Sequence, residues 1–113
     1  MTVSTHVLDA VAGRPAAGVP VALSVRDAAG SWRAAGDGAT DADGRLRFEA
    51  ETDGAVSRLT FDTGRYFAES GLAGFYPEVV ITFSTATADD GPAGHVHVPL
   101  LLSPYSYSTY RGS

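Results

Sequence analysis

Apolar and polar residues alternate with a period of two along this chain, broken at short intervals by glycine and proline. Side chains on a strand point alternately to opposite faces, so such a pattern gives each strand one face for a core and one for solvent. Residues 2–9 place Val3 and Val7 on one face and His6 on the other. Residues 19–26 set Val19, Val21, Leu23 and Val25 together. A turn at Ala12-Gly13-Arg14-Pro15 separates the two, and Ala29-Gly30-Ser31 leads into a short strand around Trp32. The Asp-Gly of Thr40-Asp41-Ala42-Asp43-Gly44 predicts a tight turn with positive φ at its tip. From it emerges Arg45-Leu46-Arg47-Phe48-Glu49-Ala50, with Leu46 and Phe48 facing one way and both arginines the other.

Further strands are expected at 56–62, at 79–85 as a buried strand, at 95–102 and along 105–111, with a loop at 88–92. Residues 63–71 are the one plausible helix, about two turns stopped by Gly71. Seven to eight short strands with one short helix define an all-β fold, a β-sandwich. The 113 residues fit one domain spanning 1–113, large enough to bury a core without covalent staples.

Composition then removes whole classes of function. A net charge of −5 argues against nucleic acid and against anionic membranes as partners. No apolar run is long enough to span a bilayer. Residues 1–10 lack the basic start and apolar stretch of a signal peptide, so the expected compartment is the cytoplasm. Cysteine is absent, which excludes disulfides, thiolate metal sites and a Cys nucleophile. All eight basic residues are arginine, so no Lys can act as a Schiff base or general base. Proton transfer near neutrality is left to His6, His95 and His97.

In His95-Val96-His97-Val98-Pro99-Leu100-Leu101-Leu102, both imidazoles share the face opposite Val96, Val98, Leu100 and Leu102. Solvated surface histidines are the commoner fate of such a pair. A zinc site is a second possibility, with His6 as third ligand, but no carboxylate stands out as a fourth. Arg45 projects from the polar face just past a tight turn, where a solvated charge is the commoner fate of an arginine. The run Tyr105-Ser106-Tyr107-Ser108-Thr109-Tyr110-Arg111-Gly112-Ser113 is unusually aromatic for a chain end, which suggests a tied-down terminus. No phosphate loop or serine-hydrolase elbow is present, and Asp41, Asp43 and Gly44 lack the remaining positions of a calcium loop.

Five segments together resemble the 5-hydroxyisourate hydrolases, or transthyretin-related proteins. They are Ser4-Thr5-His6-Val7-Leu8-Asp9 with Gly13-Arg14-Pro15-Ala16, then Thr40 to Arg45, then Phe75-Tyr76-Pro77-Glu78, then His97 to Pro104, and the ending Tyr110-Arg111-Gly112-Ser113. Transthyretin itself, a hormone carrier, is similar in fold but lacks that ending. The resemblance implies a transthyretin (prealbumin)-like sandwich assembling into a homotetramer, with sites in the channel between dimers. It implies hydrolysis of 5-hydroxyisourate to 2-oxo-4-hydroxy-4-carboxy-5-ureidoimidazoline in urate and purine catabolism, with no cofactor and no metal. It assigns catalysis to His6, His97 and Ser113, and substrate binding to Arg45, Tyr110, Arg111 and Gly112. His95 also falls on a frequent family position, with less weight. A ligand carrier, which would not need three histidines, Arg45 and this terminus, is one rival reading; an adhesive sandwich module of a larger secreted protein, whose marks would be a signal peptide, linkers or neighbouring domains, is the other.

Overall fold

The computed structural model describes residues 1–51, 56–85 and 94–113. The expected 88–92 loop lies outside them. Among the described residues the elements are β1 (Thr2–Asp9), β2 (Arg14–Pro15), β3 (Pro20–Arg26), β4 (Trp32–Ala39), β5 (Arg45–Glu49), β6 (Val56–Phe61), α1 (Thr63–Glu69), β7 (Val79–Ser84), β8 (His95–Ser103) and β9 (Ser106–Thr109). These are the expected strands, with β2 added as a two-residue stub on β1 and β4 running longer than its sequence suggested. No helix among them is long and apolar enough to cross a membrane.

Two sheets face each other. One runs β2-β1-β8-β9, with β5 also paired to β1; the other runs β4-β3-β6-β7. The inward residues are those the alternation selects: Val3 and Val7, Val21, Leu23 and Val25, Leu59 and Phe61, and Val96, Val98, Leu100 and Leu102. The helix closes the core with Phe67; Asp62 caps its start, accepting from the Arg65 N–H, and Gly71 leaves it at φ 75°.

The expectation of a buried strand at 79–85 needs correction. Only Val79 of β7 is buried, Ile81 and Phe83 are half-buried, and Val80 is 44% exposed. An unbroken Val-Val-Ile run reads as covered on both faces. Here β7 ends its sheet among the described strands, and its second face looks outward.

Pairing brings the chain's two ends together. β1 and β8 run parallel over Thr2–Asp9 and His95–Leu102, while β5 runs antiparallel along the other side of β1. The sequence pattern shows faces, not neighbours, so this parallel ladder was not legible in it. It determines the composition of the sheet's outer face.

Candidate active site

Strand register alone assembles the site. On the outer face of β1, Ser4 sits opposite His97 of β8, and Thr2 opposite His95. His6 sits opposite Pro99 on that side and opposite Arg45 of β5 on the other. Three segments far apart in sequence thus place His6, Arg45, His95 and His97 on one surface.

The turn before β5 explains how Arg45 is held. Gly44 takes φ 74°, and a Cβ there would collide with the Val7 carbonyl oxygen. The Gly44 carbonyl accepts the Val7 N–H at 2.7 Å, so the turn lies flat against β1. Asp41 fixes the other side, its Oδ1 accepting from the Asp43 N–H at 2.9 Å and the Arg45 N–H at 3.0 Å. The carboxylate that faintly suggested a calcium loop is instead an internal turn brace.

The terminal segment is tied down, as its aromatic content suggested. β9 pairs with β8, the Thr109 hydroxyl donates to the Pro99 carbonyl at 2.7 Å, and the Gly112 N–H donates to the His97 carbonyl at 2.9 Å. A Cβ on Gly112 would run into the His97 ring and come within 3.2 Å of Pro99 Cγ. Glycine is therefore required for the terminus to lie against His97. Ser113 follows one residue later and is exposed, as are Tyr110 and Arg111.

His97 is the most perturbed of these groups. Its pKa is lowered, first by partial burial, then by the charges of His95, His6 and Arg45. It therefore favours the neutral imidazole at neutral pH, the form that can accept a proton. The two β8 rings lie nearly parallel, with centroids 6.4 Å apart. The hydroxyls of Thr2 and Ser4 reach them: Thr2 Oγ1 is 2.5 Å from His95 Nδ1, and Ser4 Oγ is 2.7 Å from His97 Nδ1. Sequence reading singled out neither hydroxyl, although the period that exposed His6 also places Thr2 and Ser4 on its face.

A groove of about 290 Å³ is lined by Ser4, Asp41, Arg45, Arg47, His95 and His97, with His6 flanking it rather than lining it. That size lies near the lower end of small-molecule sites, roughly 300–1,000 Å³. A second hollow of about 310 Å³ reaches His97 from the inter-sheet side, past Ile81, Phe83, Tyr110 and Arg111. A further concavity, about 440 Å³, lies on the opposite sheet and carries Asp37, Asp62 and Glu78. It has no imidazole or guanidinium in its lining, so it lacks a cationic donor for a developing oxyanion. Among the described residues, no three His, Asp or Glu side chains are disposed to hold a metal ion.

The sequence profile described as the HIUase/Transthyretin family matches residues 3–112. A 5-hydroxyisourate hydrolase of Caulobacter vibrioides is 49% identical over 97% of this chain and 96% of its own length. The solved 5-hydroxyisourate hydrolase of Klebsiella pneumoniae superposes with TM-score 0.81 and 36% identity, covering 100% of both chains. Transthyretin from Sparus aurata superposes with TM-score 0.85 and 34% identity, covering 97% of this chain and 95% of its own.

Proposed function

The chain belongs to the HIUase/transthyretin family, and from that premise we propose that it is a 5-hydroxyisourate hydrolase of urate breakdown whose active site is the outer face of the β5-β1-β8 sheet. Backbone similarity does not choose between hydrolase and carrier, since the TM-scores to the two are close. The side chains favour the hydrolase. The observation that carries this reading is a half-buried His97 of lowered pKa, set on one face with Arg45 and packed under Gly112. A carrier needs a complementary surface; it has no use for a poised base.

The geometry supports the following chemistry. Substrate occupies the groove, with the planar Arg45 guanidinium on a urea-like edge of the ring. Water attacks a ring carbonyl carbon, forming a C–O bond while His97 takes the water's proton. Arg45 stabilises the charge that develops on the carbonyl oxygen. The ring C–N bond then breaks as the proton taken up by His97 is relayed through His6 to the departing nitrogen, which leaves both imidazoles as they began. The Ser113 hydroxyl orients the water, and Tyr110, Arg111 and Gly112 hold the terminal segment against the site. We place the whole in a homotetramer, in which facing subunits wall an outer sheet surface that is open in the single chain.

The test is direct. Purified protein is added to 5-hydroxyisourate freshly generated from urate, and its ultraviolet decay is followed with and without chelator. Decay well above the spontaneous rate in both conditions is expected. An unchanged rate would return the protein to ligand binding.

A further inference from the structure

The Ser4 hydroxyl stands between two imidazoles. Its Oγ lies 2.7 Å from His97 Nδ1 and 3.1 Å from His95 Nε2, while Thr2 Oγ1 closes the row at His95 Nδ1. The row follows from register, because Thr2 pairs with His95 and Ser4 with His97 along the β1–β8 ladder.

A hydroxyl carries one hydrogen and a neutral imidazole carries one N–H. Ser4 can therefore donate to only one of the two ring nitrogens and must accept from the other. Two arrangements satisfy these three side-chain contacts. In one, His97 Nδ1–H donates to Ser4, Ser4 donates to His95 Nε2, and His95 Nδ1–H donates to Thr2. In the other, every hydrogen points the opposite way: Thr2 donates to His95 Nδ1, His95 Nε2–H to Ser4, and Ser4 to His97 Nδ1. The two rings thus hold the same tautomer, in step. Only the first arrangement leaves His97 Nε2 bare and able to take a proton from water.

We propose that Ser4 is a positioning residue of the hydrolytic site: anchored by His95, its hydroxyl holds His97 in the tautomer that presents a bare Nε2 to the groove. The proposal rests on the reading of His97 as the base. It assigns His95 a part as the partner that fixes the direction of the Ser4 hydrogen, and Thr2 a part as the end of the row. Second-row partners of this kind orient the histidines they bind and tune their basicity.

The tautomers are read by long-range nitrogen–proton correlation on ¹⁵N-labelled protein at about pH 8, where neutral imidazole dominates. His97 and His95 are both expected as the Nδ1–H form in the parent protein, with that form lost from His97 in Ser4→Ala. In the decay assay, Ser4→Ala is expected to lower kcat about tenfold or more with KM within about twofold, and Ser4→Thr to restore it. Unaltered thermal unfolding of Ser4→Ala shows that the loss is not one of fold. An Nε2–H tautomer of His97 in the parent overturns the proposal, and so does a Ser4→Ala variant with parental kcat. A parent protein that does not hydrolyse 5-hydroxyisourate overturns the underlying reading and the catalytic role with it, and the ring spectra separate that outcome from a failure of Ser4 alone.

Discussion

At the scale of single residues, the site works by contrast between neighbours. The pKa of His97 is lowered by burial and by its charge interactions with His95 on its own strand, His6 on β1 and Arg45 on β5. Because its pKa is lowered, its base form persists below the ordinary imidazole value of 6.5. The acid limb of kcat/KM should therefore lie below about pH 6.5. Arg45→Ala removes one of those charges as well as the proposed oxyanion donor. It should lower kcat/KM by roughly 10²–10³-fold and move the acid limb of the residual activity upward. A pH–rate series on both proteins checks the pair of effects, and a limb that stays put in the variant would deny Arg45 any influence on His97. The residue types were legible from sequence: an alternation of two exposes His95 and His97 together, and His6 away from the core. Their mutual arrangement was not, since Ser4 and Thr2 become partners of the imidazoles only once β1 is known to pair with β8.

At the scale of elements, two braces deserve separate tests. The terminal segment after β9 touches the sheet through Gly112 and His97. A protein ending at Thr109 keeps every β8–β9 ladder pair, so it should unfold near the parental temperature yet lose activity. Gly112→Ala should act in the same direction by pushing the His97 ring aside. Retained activity in either variant would remove the terminus from the site. The second brace joins the end of β1 to α1. Asp9 accepts N–H bonds from Val11 and Ala12 and a 2.7 Å hydroxyl bond from Tyr66. Burial alone would raise the Asp9 pKa, but these donors and the Arg14 charge outweigh it and leave it lowered. Burial, then Asp9, push Tyr66 up to about 12. Tyr66→Phe removes a donor to a buried carboxylate and should destabilise the fold by about 1.5–3 kcal/mol, measurable by urea unfolding. The sign follows from the lowered carboxylate: its stabilisation is present above its unfolded value of 3.8 and disappears as pH falls through the folded one. The variant's deficit should accordingly shrink in acid.

For the whole molecule, the alternation that selected the core also marked the sandwich and most of its strands, while the helix was read from the one stretch that ends at Gly71. It could not show that β7 ends its sheet among the described strands, because an apolar run looks alike at an edge and at a centre. Nor could the sandwich alone distinguish a hydrolase from a carrier; the Tyr-Arg-Gly-Ser ending and the histidine pattern supplied that distinction. The proposed homotetramer predicts a sedimentation mass near four times 11.7 kDa, and a monomer at assay concentration would contradict it. The hydrolysis itself is assigned to the outer histidine face. It is tested most directly by following 5-hydroxyisourate decay with His97→Asn, alongside its thermal unfolding. Decay at the spontaneous rate is expected, from a protein that melts like the parent. Parental turnover by that variant would contradict it.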